Sequence, residues 1–101
     1  MYDLQDAKGK LKKFDELAPA VWRNFKAFDK AAMADGAIPA RTKELMAVAV
    51  ALTTQCIYCI EVHTERARAA GCSEAELAET VMVAAALRAG GAIGHGTHCM
   101  S

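Results

Sequence analysis

Two cysteines and a histidine stand close together in the middle of the chain, at Cys56, Cys59 and His63. Their i, i+3, i+7 spacing places all three within an arc of about 60° if the segment is helical. Two thiols and an imidazole on one stripe form a chemical unit. One thiolate can act as a nucleophile, the second thiol can resolve a sulfenate, and the imidazole can serve as the base one turn away. His63 is four residues from Cys59 and so neighbours that sulfur on the helix surface. Glu44 lies one helix earlier and supplies an acid able to face the stripe across a short turn and orient the base.

A zinc site is the competing use of these ligands. It needs a fourth donor, which His95, His98 or Cys99 would bring from the C-terminal end. The second Cys-x-x-Cys or His-x-x-x-His pair of a zinc finger is absent, so the thiol redox reading requires less. At a helix N-terminus the unpaired N–H groups favour the thiolate of Cys56, so the residues alone leave open which cysteine is the nucleophile.

The elements that position these groups follow from apolar spacing. Residues 1–13 are polar and rich in lysine, as expected of a solvated arm. Phe14, Leu17, Val21, Trp22, Phe25 and Phe28 form a helical stripe, with Pro19 in its first turn or marking a break before it. Asp35-Gly36 is the expected C-cap. A second helix is expected over residues 39–53, opened by Pro39, and its run Leu45–Leu52, apolar on every side, predicts full burial. Glu44 is then either a surface residue favoured by the helix dipole or a partly buried acid.

Thr53-Thr54-Gln55 turns the chain into a third helix over residues 56–70, capped by Gly71. Ser73-x-x-Glu76 is a capping box opening a fourth helix, along which Leu77, Val81, Met82, Ala85 and Leu87 run. Gly90 and Gly91 loosen or kink its end. His95, His98 and Cys99 read as the fringe of a subunit interface or a frayed terminus, and Cys72 as a lone buried or half-buried thiol.

The chain has 101 residues, enough for one domain with a single core. Lys plus Arg and Asp plus Glu number 12 each, so neither a nucleic-acid footprint nor a polybasic membrane patch is expected. Zero formal net charge combined with 53% hydrophobic residues favours self-association into a homo-oligomer. The charged N-terminus lacks a secretory signal, and the uncharged run from Leu45 to Ile60 is shorter than a membrane span. A soluble, cytoplasmic protein without a membrane anchor is expected. In that setting a close cysteine pair points to redox chemistry or metal binding rather than a disulfide scaffold.

The pattern Glu44, eleven residues, Cys56-x-x-Cys59, three residues, His63 resembles the core of the AhpD-like alkylhydroperoxidases of the carboxymuconolactone decarboxylase superfamily. An apolar helix before the motif and a Gly/Ala-rich last helix after it extend the resemblance over about residues 14–99, within a single domain 1–101. It implies an all-α, AhpD-like helical fold assembled as trimers or hexamers. The implied activity is antioxidant, reducing hydroperoxides with electrons from a dithiol or lipoyl-type partner. No separate cofactor or metal is implied, because the redox-active group is the Cys56–Cys59 disulfide. By the same resemblance Cys59 is the peroxidatic nucleophile, Cys56 the resolving thiol, His63 the base and Glu44 the end of the proton relay. Longer family enzymes carry a histidine of the relay at position 58, where this chain has Tyr58. The alternatives are a γ-carboxymuconolactone decarboxylase-like enzyme and a non-enzymatic metal-binding or structural oligomer module.

Overall fold

The computed structural model describes residues 2–101, and among them it contains five α-helices, one short 3-10 helix and no strand. The chain divides into two compact units, Met1–Ala40 and Arg41–Ser101.

The first unit is a pair of helices. The polar N-terminal segment is part of a helix, α1 (Leu4–Leu17), and not a solvated arm. Asp3 caps it, its Oδ1 accepting from the N–H groups of Gln5 at 2.9 Å and Asp6 at 3.4 Å. Asp6 and Lys10 form an i, i+4 ion pair at 3.0 Å. Local capping and pairing hold this turn, which is why an apolar-stripe reading passes over it. Ala18 breaks the chain and Pro19 opens α2 (Pro19–Met33) at its first position, where a missing N–H costs nothing. Trp22 packs between Phe14 and Phe25, at ring centroid separations of 5.6 and 5.7 Å. Neither helix contains a buried residue.

Asp35-Gly36 does not cap α2. The helix already ends at Met33, with Ala34 extended, and Asp35 serves the next helix, its Oδ1 accepting from the Ala40 N–H at 2.7 Å. Pro39 stands just before that helix, not inside its first turn.

The second unit carries α3 (Ala40–Thr54), α4 (Ile57–Ala69), α5 (Glu74–Gly96) and a 3-10 turn at Thr97–Cys99. Its core cluster is Val48, Ala67, Cys72 and Leu77, with Leu45 and Leu52 packed against it. The Leu45–Leu52 run is therefore not buried all round. Val48 and Ala51 are inside, but Met46 and Val50 remain 48% and 60% exposed. Gln55 makes the α3–α4 turn with φ 58°, a left-handed conformation costing a non-glycine residue about 1–2 kcal/mol. Gly71 closes α4 with φ 90°, and α5 runs unkinked through its glycines. With the 3-10 turn, Glu74–Cys99 is long and apolar enough, by length and composition alone, to cross a membrane. It is a longer apolar element than the uncharged run Leu45–Ile60.

The α4–α5 corner is locked by a capping box. Ser73 Oγ accepts from the Glu76 N–H at 3.1 Å, and Glu76 Oε1 accepts from the Ser73 N–H at 2.9 Å. Arg41 Nη2 donates to the same carboxylate oxygen at 2.5 Å and to the Gly71 carbonyl at 3.3 Å. The Arg41 hydrogen bond, followed by that of the Ser73 backbone, holds the Glu76 carboxyl down from 4.5 to about 2. A carboxyl with a lowered folded-state value stabilises the fold above its unfolded value and loses that contribution as pH falls through the folded one. Acid unfolding of the intact chain is therefore expected to include a component between about pH 4.5 and pH 2. Glu76→Gln keeps a capping acceptor but removes the charge, so thermal denaturation across this window should show a flatter pH dependence; an unchanged slope would disprove the role of this pair.

Candidate functional site

Cys56 sits in the turn between α3 and α4 and is the N-cap of α4, with its Sγ accepting from the Cys59 N–H at 3.3 Å. Cys59 lies in the first turn of α4. The two sulfurs are joined in a disulfide across Cα atoms 5.3 Å apart, a separation within the ordinary range. The i, i+3 spacing at a helix start is what brings the two residues within reach.

His63 follows one turn after Cys59. Its Nδ1 lies 2.7 Å from Glu44 Oε2, and the two side chains are only 16% and 13% exposed. Glu44 is in the second turn of α3, so the dipole-favoured surface reading does not describe it; it is the partly buried partner of His63. A carboxylate accepts only, so this bond puts the imidazole proton on Nδ1 and leaves the Nε2 lone pair available. Acid, base and dithiol thus come from two consecutive helices joined by one tight turn.

Tyr58 lies inside the cysteine motif and is half-buried, whereas Ile57 beside it is 51% exposed. No hydrogen bond joins the Tyr58 hydroxyl to His63 or Glu44 among the described residues. Cys72 is buried at the core, its Sγ 4.0 Å from the Arg41 carbonyl oxygen, and Cys99 is a free, exposed thiol. His95 and His98 stack at 5.2 Å between ring centroids at the end of α5. That end is ordered into a 3-10 turn and is not frayed. Among the described residues, no group of three or more His, Cys, Asp or Glu side chains is arranged to hold a metal ion. The zinc reading, which needs a fourth ligand beside the cysteine pair, is not assembled within one chain.

Two positioning residues escaped sequence reasoning. Arg88 Nη1 donates to the Thr53 carbonyl at 2.7 Å, tying α5 to the last turn of α3 just before the disulfide. Gln55 takes the left-handed step that lets α4 begin at once. An arginine within an apolar helix was a visible signal for the first; the second had none, since glutamine is not a usual left-handed residue.

The sequence profile described as the Carboxymuconolactone decarboxylase family matches residues 19–99, which include both cysteines, His63 and Glu44. The chain belongs to this family. It is 46% identical over 77 residues to a protein of Paracoccus denitrificans named uncharacterized protein 4 in cox locus, covering 76% of this chain and 69% of that one. A protein of Cupriavidus necator is 38% identical over 65 residues, or 64% of this chain and 58% of its own length. Among solved structures, a carboxymuconolactone decarboxylase family protein from Legionella pneumophila superposes with a TM-score of 0.79 at 33% identity. That match covers 83% of this chain and 75% of the other. A protein from Methanobacterium thermoautotrophicum gives a TM-score of 0.81 at 38% identity over 87% and 98% of the two chains. The expected all-α, AhpD-like fold is the observed one, in a family that includes enzymes.

Proposed function

We propose that this family member is a thiol-dependent peroxidase that reduces hydroperoxides through Cys56 and Cys59. The observation carrying this reading is the closed Cys56–Cys59 pair one turn from a His63 already bonded to Glu44. In the reduced enzyme His63 Nε2 takes the Cys59 proton, directly or through a water, and Glu44 stabilises the resulting imidazolium. The Cys59 thiolate attacks the terminal oxygen of the hydroperoxide. The O–O bond breaks, the alcohol leaves with the proton returned by His63, and Cys59 becomes a sulfenic acid. Cys56 attacks that sulfur, forming the disulfide and releasing water. A dithiol or lipoyl-type reductant then delivers two electrons and two protons by exchange, beginning at the more accessible Cys56, and leaves as its own disulfide. Tyr58 is placed to hydrogen-bond within the relay but not to carry its proton near neutral pH, where a phenol does not titrate.

The reading includes a cytoplasmic homo-oligomer, a trimer or hexamer, with the apolar surface of α5 covered by other copies and not by lipid. Its test is stoichiometric. Reduced protein treated with an alkyl hydroperoxide should release about one alcohol per chain. Peptide mapping should then recover Cys56 linked to Cys59, with Cys72 and Cys99 unpaired, and added dithiol should restore turnover. Indifference to peroxide, or recovery of Cys56 linked to Cys72, would defeat it.

A further inference from the structure

The C-terminal half of α5 has a face with no counterpart in its own chain. Glu79, Val83, Leu87, Gly90 and Gly94 fall within about 40° on either side of one line along the helix. Val83 and Leu87 are 56% and 67% exposed, and the flanking Met82 and Ile93 are 66% and 76% exposed. A Cβ added at Gly90 or Gly94 would meet no atom within 4 Å. Glycine in a helix interior is unfavourable relative to alanine, and inside this chain nothing approaches closely enough to require it. Toward the N-terminal end the same line enters an open groove of about 340 Å³ between α3 and α5, lined by Leu45, Met46, Ala49, Glu79, Thr80 and Val83.

We propose that this face is an isologous contact in which α5 of a second copy lies antiparallel to α5, with Leu87 at the two-fold axis and the glycine-lined end of each helix seated in the other's groove. Three observations select a second copy as the occupant. The first is area. Burying one large aliphatic side chain removes on the order of 60–120 Å² from water, and Met46, Val83, Leu87, Met82 and Ile93 are all about half exposed or more. With the surrounding alanines and bare helix backbone the face approaches the roughly 800 Å² per partner of a standard interface. The second is charge. Between Thr80 and Gly94 the only charged side chain is Arg88, and its guanidinium is engaged by the Thr53 carbonyl. The third is end-to-end complementarity. Leu87 is equally distant in sequence from Glu79 and His95, and from Glu76 and His98. Antiparallel pairing about it brings the acidic end of each helix against the imidazole end of the other, with opposed helix dipoles. The inference does not depend on the thiol chemistry.

Site-directed cross-linking with a short bis-maleimide tests it on the full chain. Leu87→Cys in a Cys99→Ser background should give a covalent dimer whose mapped linkage joins residue 87 to residue 87, whereas Gly94→Cys in the same background should not link to itself. Analytical ultracentrifugation should show at least a tenfold weaker self-association for Gly90→Leu and none of that loss for Gly96→Ala, on the far side of the helix. An assembled protein that does not link through residue 87 would overturn the proposal. So would a wild-type monomer at micromolar concentration, including one that instead floats with phosphatidylcholine–phosphatidylglycerol vesicles, which would assign the face to lipid. If Gly90→Leu fails to fold, the residue 87 linkage decides alone.

Discussion

Cys59→Ser is expected to abolish hydroperoxide consumption altogether, whereas Cys56→Ser should consume about one equivalent and stop. The asymmetry follows from the order of bond making. Only the nucleophile is needed to break the O–O bond, and the resolving thiol acts afterwards on the sulfenic acid. Stalled Cys56→Ser protein should therefore carry one added oxygen, trapped at Cys59 by a sulfenate-selective reagent and read by mass spectrometry. Helix-end electrostatics also makes Cys56 a candidate nucleophile, since it is the residue at the N-cap of α4. The experiment separates the two assignments. A stalled sulfenate in Cys59→Ser, with Cys56→Ser inert, would reverse them.

Removing the base should be nearly as severe. His63→Gln is expected to lower the rate of peroxide reduction by on the order of a hundredfold or more. A free cysteine with a pKa of about 8.5 is only a few per cent thiolate at neutral pH, so an unassisted thiol is slow. Glu44→Gln should act in the same direction with a smaller loss, because an amide still holds the ring but no longer stabilises the imidazolium. Single-turnover kinetics at several pH values provides the check. The His63→Gln deficit should shrink as pH rises and hydroxide deprotonates the thiol without help. A wild-type rate in His63→Gln would remove the histidine from the chemistry and leave its bond to Glu44 as a link between α3 and α4.

The elements legible in the sequence were those in which one residue type does one job. The capping box at Ser73 and Glu76, the stop at Gly71 and the opening of α2 at Pro19 are local signals, and each sits where it was read. The half-buried meeting of Glu44 with His63 was legible only as one of two options, because facing across a turn depends on how that turn is made. Here it is made by Gln55 in a left-handed conformation, which composition does not announce. Helix α1 was missed although Leu4, Ala7, Leu11 and Phe14 follow helical spacing, since four lysines among them read as solvation. The error at Asp35 was of another kind. An Asp-Gly pair after an apolar stripe suits the end of one helix or the start of the next, and only the bond to Ala40 decides between them. Burial of Leu45–Leu52 was overstated for a single chain because an apolar run reports what must be covered and not what covers it.

The sulfur of Cys56 is at once half of the disulfide and the cap of α4, accepting from the Cys59 amide. Oxidation state is thereby written into the backbone. A thiolate at that position is a charged acceptor at the positive end of a helix, and a disulfide sulfur is a weak neutral one. Electrons arriving at the pair tighten the first turn of α4, and their withdrawal slackens it. The same turn presents Ile57 to solvent, so a docking protein meets a firmer or softer surface according to the charge state of one atom behind it. Redox chemistry at this site is also a signal in stiffness.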